Sequence, residues 1–508
     1  MSKEILFTFA QDPSYTTTNL AEKLDGIRKK GFEQYYDTKF LNDFIEARRK
    51  QDGDNFSFSW NSRNPAGEWM SKNVKAASKV VDEPINVERI QAELEKDRFG
   101  YIVVATHLSG YSDFRNVAKY IHKAHPNVKV IASSAGSFVD ETAQLADFTL
   151  RGDQVHDLRE IIGETTNDPL KIVTVRSDTK TQFHGVTKKG SYALLVSSLG
   201  CMYGCDYCVS TAQFGTDFKN PFSAQQIKDA IISVHDTIAP DSKIFTVSLA
   251  EPQGLGNVRL WKEVFKLCRD MPFQCELVST TSSKVMERYD LDELTLGALR
   301  LGTVNIGVES LLQGYKKNEA VDLMALNTRL REAGVNVVST FIIGFDWHTK
   351  ANIGNEIRLL KDLGSSGYIA ANLEMKPGTP LYKAFKNSGR LLDVPPELLS
   401  FYGYQAYKHP EFATGFNDIL PLLEEVGTEL SAGNQALSPY LSVFLKRRNA
   451  GEAQQRRVIQ GMIDDFASGI DPAAYEGDIT KIVDQFSADL YYNLAFRHMD
   501  LFHPFVII

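Results

Sequence analysis

Cysteine is scarce in this chain. Of 508 residues only five are cysteine, and the first of them is Cys201. An odd, low and tightly clustered set excludes a disulfide framework and points to a reducing cytoplasm, with the thiols kept for metal or catalysis. Long apolar runs are missing as well: no stretch of about 18 apolar residues occurs, which argues against a membrane span. The opening "MSKEILFTFAQDPSYTTT" has no cleavage-site pattern, so no signal peptide is expected. Positive charge is in deficit: 56 Lys and Arg against 64 Asp and Glu give a net charge of -8. That balance argues against a general nucleic-acid binder, since phosphate neutralisation needs a clustered basic surface. Internal repeats and low-complexity segments are absent too. The length implies roughly three domains.

What is present is alternation. Over residues 1–165, "EILFTFA", "YIVVATHL", "VKVIASS" and "ADFTLRG" read as strands, and "YSDFRNVAKYIHKAH" reads as a helix. Continuous β-branched runs separated by helices predict a parallel sheet covered on both faces, an α/β, Rossmann-like unit. Ligands of such sheets sit beyond the carboxyl ends of the strands, which here carry Thr106, His107, Ser109, Ser134 and Gly136. Small residues there also simply make turns. Residues 36–92 form a polar excursion with no readable role. Residues 166–189 are expected to be a linker.

A second alternation fills residues 190–395. "YALLVSS", "KIFTVSLA", "CELVSTT", "TVNIGVES", "VNVVSTFIIGF" and "GYIAANLEM" are six strand candidates with helical stretches between most of them. Six consecutive βα units predict a partial (β/α)6 barrel, whose chemistry gathers at the carboxyl ends of its strands. Residues 396–508 lose the strand rhythm and are expected to form a C-terminal helical domain.

The cysteines follow the first barrel strand directly, in "SSLGCMYGCDYCVSTAQFG", as Cys201, Cys205 and Cys208. Their C-x3-C-x2-C spacing would also place three thiols on one helix face. Gly200 and Gly204 argue against a helix and suit a loop wrapped closely round a ligand. Structural zinc usually takes four ligands, and no fourth cysteine or histidine lies nearby. Three thiolates without a local fourth suit an iron–sulfur cube with one iron left free.

"CMYGCDYC", with Tyr207 before the last cysteine, resembles the signature of the radical S-adenosylmethionine (SAM) superfamily. Later segments extend the resemblance over about residues 190–390. "SLAEPQG" resembles the Gly-Gly-Glu-Pro segment that holds the amino group of SAM, with Leu249 and Ala250 in place of the glycines and Glu251 as candidate. "IGVES" resembles the segment that binds the ribose hydroxyls, with Glu309 as candidate; a carboxylate can accept from both hydroxyls. "FIIGF", containing Gly344 and ending at Phe345, resembles the strand that packs on adenine. "EMKPGTPLY" supplies Pro377, Gly378 and Thr379 at the sixth turn. The resemblance implies that the cysteine-free iron of a 4Fe-4S cluster chelates SAM. Reduction by an external donor of flavodoxin or ferredoxin type then yields a 5′-deoxyadenosyl radical that abstracts hydrogen from an unactivated position.

The N-terminal unit resembles the cobalamin-binding domain of cobalamin-dependent radical SAM enzymes in strand order and in its "RGE"-like ending, Arg151, Gly152 and Asp153. No Asp-x-His-x-x-Gly motif is present, and many radical SAM relatives also lack it. The resemblance implies methyl transfer to, or cyclisation or rearrangement of, an unactivated carbon of a small molecule. The cobalamin-site candidates are Thr106, Ser109, Ser134, Gly136 and Gly152. Two alternatives stand beside it: a cobalamin-free radical SAM oxidoreductase or cyclase, and a non-catalytic iron–sulfur regulatory protein. A methylthiotransferase is disfavoured, because those enzymes hold a second cluster in the N-terminal half, where this chain has no cysteine. Cys268 and Cys275 read as buried structural thiols. His498 and His503 imply no metal site, and Tyr491, Tyr492, Phe496 and Phe502 read as core of the helical domain.

Overall fold

The computed structural model describes residues 4–12, 19–52, 56–60, 64–96, 99–183, 186–238, 240 and 244–432. In chain order the strands are β1 (Glu4–Ala10), β2 (Phe56–Trp60), β3 (Ser78–Pro84), β4 (Phe99–Thr106), β5 (Lys129–Ser133) and β6 (Phe148–Thr149). They continue with β7 (Thr174–Phe183), β8 (Val186–Leu195), β9 (Leu199–Gly200), β10 (Phe218–Lys219) and β11 (Ile244–Leu249). The last four are β12 (Gln274–Thr281), β13 (Leu299–Glu309), β14 (Asn336–Ile343) and β15 (Gly367–Asn372).

β1 alternates its burial between two cores. Ile5, Phe7 and Phe9 enter one, with Trp69 and Met70 of the helix Pro65–Lys72. Leu6 and Ala10 enter the other, with Phe114, Val117 and Ile121 of the helix Tyr111–Ala124. A sheet buried on both faces reads as a continuous apolar run, which is why β1 and β4 were legible. Its five parallel strands run in the order β3-β1-β4-β5-β6. Leaving β2 aside, this is the doubly wound order 2-1-3-4-5, whose topological switch point falls between the carboxyl ends of β1 and β4. The outer strand β3 comes from the polar excursion that could not be read. At the sheet's edge and only partly buried, it carries just two adjacent apolar residues, Val80 and Val81.

The central sheet has eight strands in the order β15-β14-β13-β12-β11-β8-β7-β2. β8 and β11–β15 are parallel and are the six expected barrel strands. The sheet is open, because β15 and β2 are its edges. Residues 166–189 are no linker: β7 pairs antiparallel with β8 along its whole length, and β2 adds to β7. The polar, lysine-rich "RSDTKTQFHGVTKKG" disguised that hairpin. β2 also carries a piece of the first 165 residues into the barrel sheet.

The described part of the C-terminal stretch packs on the barrel. Ile419, Leu423, Val426 and Leu430 of the helix Ile419–Ala432 meet Phe341 and Ile343 of β14. The short helix Pro396–Leu399 sets Glu397 at the amino end of the helix Tyr111–Ala124, where it accepts from the Ser112 amide at 2.8 Å. Residues 433–508, with Tyr491, Tyr492, Phe496, His498, Phe502 and His503, lie outside the described residues. No described helix is long and apolar enough to cross a membrane.

Candidate functional site

One cavity of about 340 Å³ lies where the switch point faces the open mouth of the barrel. Gln11, His107 and Ser109 line it from the first sheet, Cys201, Cys205 and Cys208 from the loop after β8, and Asn305 and Glu309 from β13.

The cysteine loop is pinched at its base by β9 and β10, which pair antiparallel as Gly200↔Phe218 and Leu199↔Lys219. The Cys201 amide donates to the Asp217 carbonyl at 3.1 Å, closing the loop. Gly200 has φ +80°, and a methyl there would collide with the Asp217 carbonyl; Gly204, at φ +64°, would press on Thr216. The glycines are therefore a backbone requirement of the loop. Burial raises the Cys201 thiol and pushes Cys205 up to about 11, with Lys317 the strongest opposing influence at Cys205.

Among the described residues no three His, Cys, Asp or Glu side chains converge as ligands of a single metal ion. Thiolates on different irons of a cube need not converge on one point, and the loop's three thiols suit a cluster that takes three cysteines.

Opposite the thiols, Lys317 bonds Glu309 Oε1 and reaches the Tyr207 hydroxyl at 3.4 Å. Burial opposes the charge on Lys317, yet Glu309 and Cys205 outweigh it and raise its pKa. Lys376 is held in the same way: burial opposes its charge, and Glu374, 3.0 Å away, restores it. Tyr207 packs edge-on against Tyr315 and Phe345, at 5.2 and 5.8 Å between ring centres. Its hydroxyl is raised by burial first and by Glu309 next.

Glu309 itself is 5% exposed, sits at φ +65°, and leaves Oε2 without a hydrogen-bond partner. The left-handed backbone, strained for a glutamate, is set at the bulge where β13 leaves β14. Behind it, Ser310 donates to Glu356 Oε1 at 2.6 Å, and the other carboxylate oxygen lies 3.0 Å from His348 Nε2. A buried, orphaned carboxylate oxygen facing a cavity is an acceptor waiting for a donor.

Six expected site residues do not line the cavity among those described. Glu251 turns into the wall, where Ser197 donates to it from its amide at 3.1 Å and from its hydroxyl. Burial pushes its carboxyl up to about 8 against those hydrogen bonds. Gln253, two residues on, faces the cavity instead and donates to Thr281. Gly344, at φ +108°, accepts from the Tyr407 hydroxyl and has no room for a side chain. Thr106 bonds the Val104 carbonyl and fills the space above Gly136. Ser134 is fully buried at φ 72° with its hydroxyl unpartnered, one residue from the cavity-lining Ala135. Gly152 donates to Gln213 of the helix that follows the cysteines, at 3.0 Å. Thr106, Ser134, Gly136 and Glu251 each adjoin a residue of the cavity wall, and Gly152 has none near it in the chain.

Sequence reasoning missed Lys317, Lys376, Gln253 and Asn305. The lysine of "YKKNE" reads as a solvated charge, and Asn305 hides inside the apolar run of β13.

No family model matches the chain. It is 21% identical over 281 residues to the tRNA-2-methylthio-N(6)-dimethylallyladenosine synthase of Shewanella baltica, covering 52% of this chain and 59% of that protein. The synthase of Bordetella petrii gives 21% over 294 residues, with 53% and 60% covered. The chain thus spans about six tenths of the length of these curated relatives. In structure it is similar to TsrM from Kitasatospora setae, a radical SAM methyltransferase solved with cobalamin and a [4Fe-4S] cluster. That match has TM-score 0.52 and 12% identity over 85% of this chain and 89% of TsrM. The TsrM structure with tryptophan and a SAM analogue gives TM-score 0.50 and 13% identity, with 86% and 89% covered. The architecture is that of the TsrM structures, the fold that the resemblance implied.

Proposed function

We propose that this chain is a cobalamin-dependent radical SAM enzyme that methylates an unactivated carbon of a small molecule. The observation that carries this reading is the single cavity joining three cysteines, an orphaned buried carboxylate oxygen and the switch point of a doubly wound sheet. When bound, a 4Fe-4S cluster with SAM would supply one-electron radical chemistry, and cobalamin would supply methyl-carrying chemistry.

The chain's own residues have definable tasks. Cys201, Cys205 and Cys208 hold the cluster on a loop whose backbone is fixed by Gly200 and Gly204. Lys317 and Lys376 set positive charge beside three thiolates that must all be deprotonated, which offsets their burial. Glu309 offers Oε2 to the ribose hydroxyls of SAM while Lys317 holds its other oxygen. Tyr207 forms an apolar wall next to it and limits water. Gln11, His107 and Ser109 face the cobalamin side. TsrM's tryptophan supports a substrate of small-molecule size here, and an external flavodoxin- or ferredoxin-type protein would deliver the electron. The curated relatives' names point to tRNA methylthiolation. Against it stands the absence of cysteine before Cys201, which leaves no ligands for a second cluster in the N-terminal half.

The test is anaerobic purification from cobalamin-fed cells, with bound cobalamin, iron and sulfide measured beside a Cys201→Ala control. Near-stoichiometric cobalamin and a four-iron cluster lost in the variant are expected. A cluster without cobalamin would favour the oxidoreductase or cyclase alternative, and no cluster at all would overturn the radical SAM reading.

A further inference from the structure

The helix Leu20–Arg28 carries Leu20, Lys23, Leu24 and Ile27 at the i, i+3, i+4 and i+7 positions of one stripe. The three apolar members are buried in a core shared with Leu373 and Phe401, and Tyr402 packs against that core. Lys23 is half-buried and lines the cavity, as do Leu373, Phe401 and Tyr402. Two ion pairs fix the helix in place. Lys30 meets Asp12, just beyond β1, at 3.0 Å, and Arg49 of the helix Thr38–Asp52 bonds Asp25.

Three lysines line the cavity against two glutamates. Lys317 is paired with Glu309, and Lys376 with Glu374. Lys317 is also the lysine whose charge reaches Cys201 and Cys205. Lys23 is left over: among the described residues its ammonium has no carboxylate and no hydrogen-bond acceptor. A charge drawn partly out of water on an otherwise apolar stripe calls for a counter-charge, and the cavity is where one can enter. A single ammonium matches a monoanion. A phosphate carries close to two charges at neutral pH and would leave one unmatched.

We infer that the substrate carries a carboxylate on an apolar or aromatic body. Lys23 receives the carboxylate, and the body lies against Leu373, Phe401 and Tyr402. This rests on the proposed radical SAM reading and adds to it the chemical class of what the site acts on.

The experiment takes the full-length holoprotein saturated with S-adenosylhomocysteine and titrates it calorimetrically with 3-phenylpropionate, 3-phenylpropionamide and phenyl phosphate. The wild type should bind the acid about tenfold or more tightly than the amide, and more tightly than the phosphate. In Lys23→Met, which keeps the apolar stem, the preference for acid over amide should fall to within about twofold. Lys23→Arg keeps the charge and should keep most of the preference. Iron, cobalamin and S-adenosylhomocysteine affinity should match the wild type in both variants, which also shows that they fold. No binding of the acid, no preference in the wild type, a preference kept in Lys23→Met, or tighter binding of the phosphate overturns the inference. Loss of cobalamin or of S-adenosylhomocysteine affinity in Lys23→Met would assign the lysine to a cofactor and overturn it as well. A wild type that holds no cluster, or binds no S-adenosylhomocysteine, sinks the radical SAM reading itself, and the inference with it.

Discussion

Glu309 gives one carboxylate oxygen to Lys317 and keeps the other unpartnered inside the barrel mouth. The side chains of the two are only 7% and 14% exposed, so each neutralises a charge the other could not bury alone. Removing one partner should therefore cost more than removing both. Glu309→Gln is expected to lose about 3–5 kcal/mol, and Glu309→Gln with Lys317→Met to recover much of it. Urea denaturation of the four proteins of the cycle measures this; additive losses would show that the pair is not coupled. S-adenosylhomocysteine affinity should fall in both Glu309 variants.

Gly200→Ala tests the loop without touching a thiol. The alanine must occupy a left-handed conformation and meet the Asp217 carbonyl. The backbone term alone is about 1–2 kcal/mol, before the collision is counted. Iron per chain is expected to drop sharply with all three cysteines intact. Unchanged iron and sulfide would mean that the loop tolerates another path.

Glu356 bonds Ser310 and His348 where β13 hands the chain on from Glu309. Glu356→Ala leaves the Ser310 hydroxyl and the Leu311 amide short of a buried acceptor. Each such orphan costs about 1–3 kcal/mol. The expected signature is a lower melting temperature and weaker S-adenosylhomocysteine binding with iron content retained. Wild-type binding would separate this network from the site.

Glu251 makes stability depend on pH. Its carboxyl is raised to about 8 in the fold from an ordinary 4.5, so the folded chain binds more protons than the unfolded chain between those values. The contribution is fully present below about pH 4.5 and is lost as pH rises toward about 8. The slope from one proton is at most about 1.4 kcal/mol per pH unit. Glu251→Gln keeps an acceptor for Ser197 and should flatten that limb of the stability profile. An unaltered profile would show that Glu251 is ionised across the range.

Much of this molecule was legible because its sheets are buried on both faces. β1, β4 and the six barrel strands are runs of β-branched and aromatic residues that mean little else. The cysteine loop was legible because glycine and cysteine are costly to place without reason. The strand β7 and the polar start of β8 were not, since a polar ribbon carries no continuous apolar signal. Nor could spacing reveal that Glu251 and Gly344 point away from the cavity while Gln253 and Asn305 point into it. Direction depends on where each strand turns, and that is decided by neighbours far along the chain.

The strand β2 lies between two members of the first sheet in sequence, yet pairs with β7 in the other. The helices Leu20–Arg28 and Thr38–Asp52 likewise share a core with residues 342–420, and Tyr404 donates to the Tyr35 carbonyl at 2.9 Å. The chain is therefore stitched back and forth across its own domain boundary. A fragment cut near residue 165 or 190 would strip the barrel sheet of its edge and leave the N-terminal piece with unmatched apolar helices. The two halves are therefore expected to melt in one cooperative transition, and neither to fold as a transferable module.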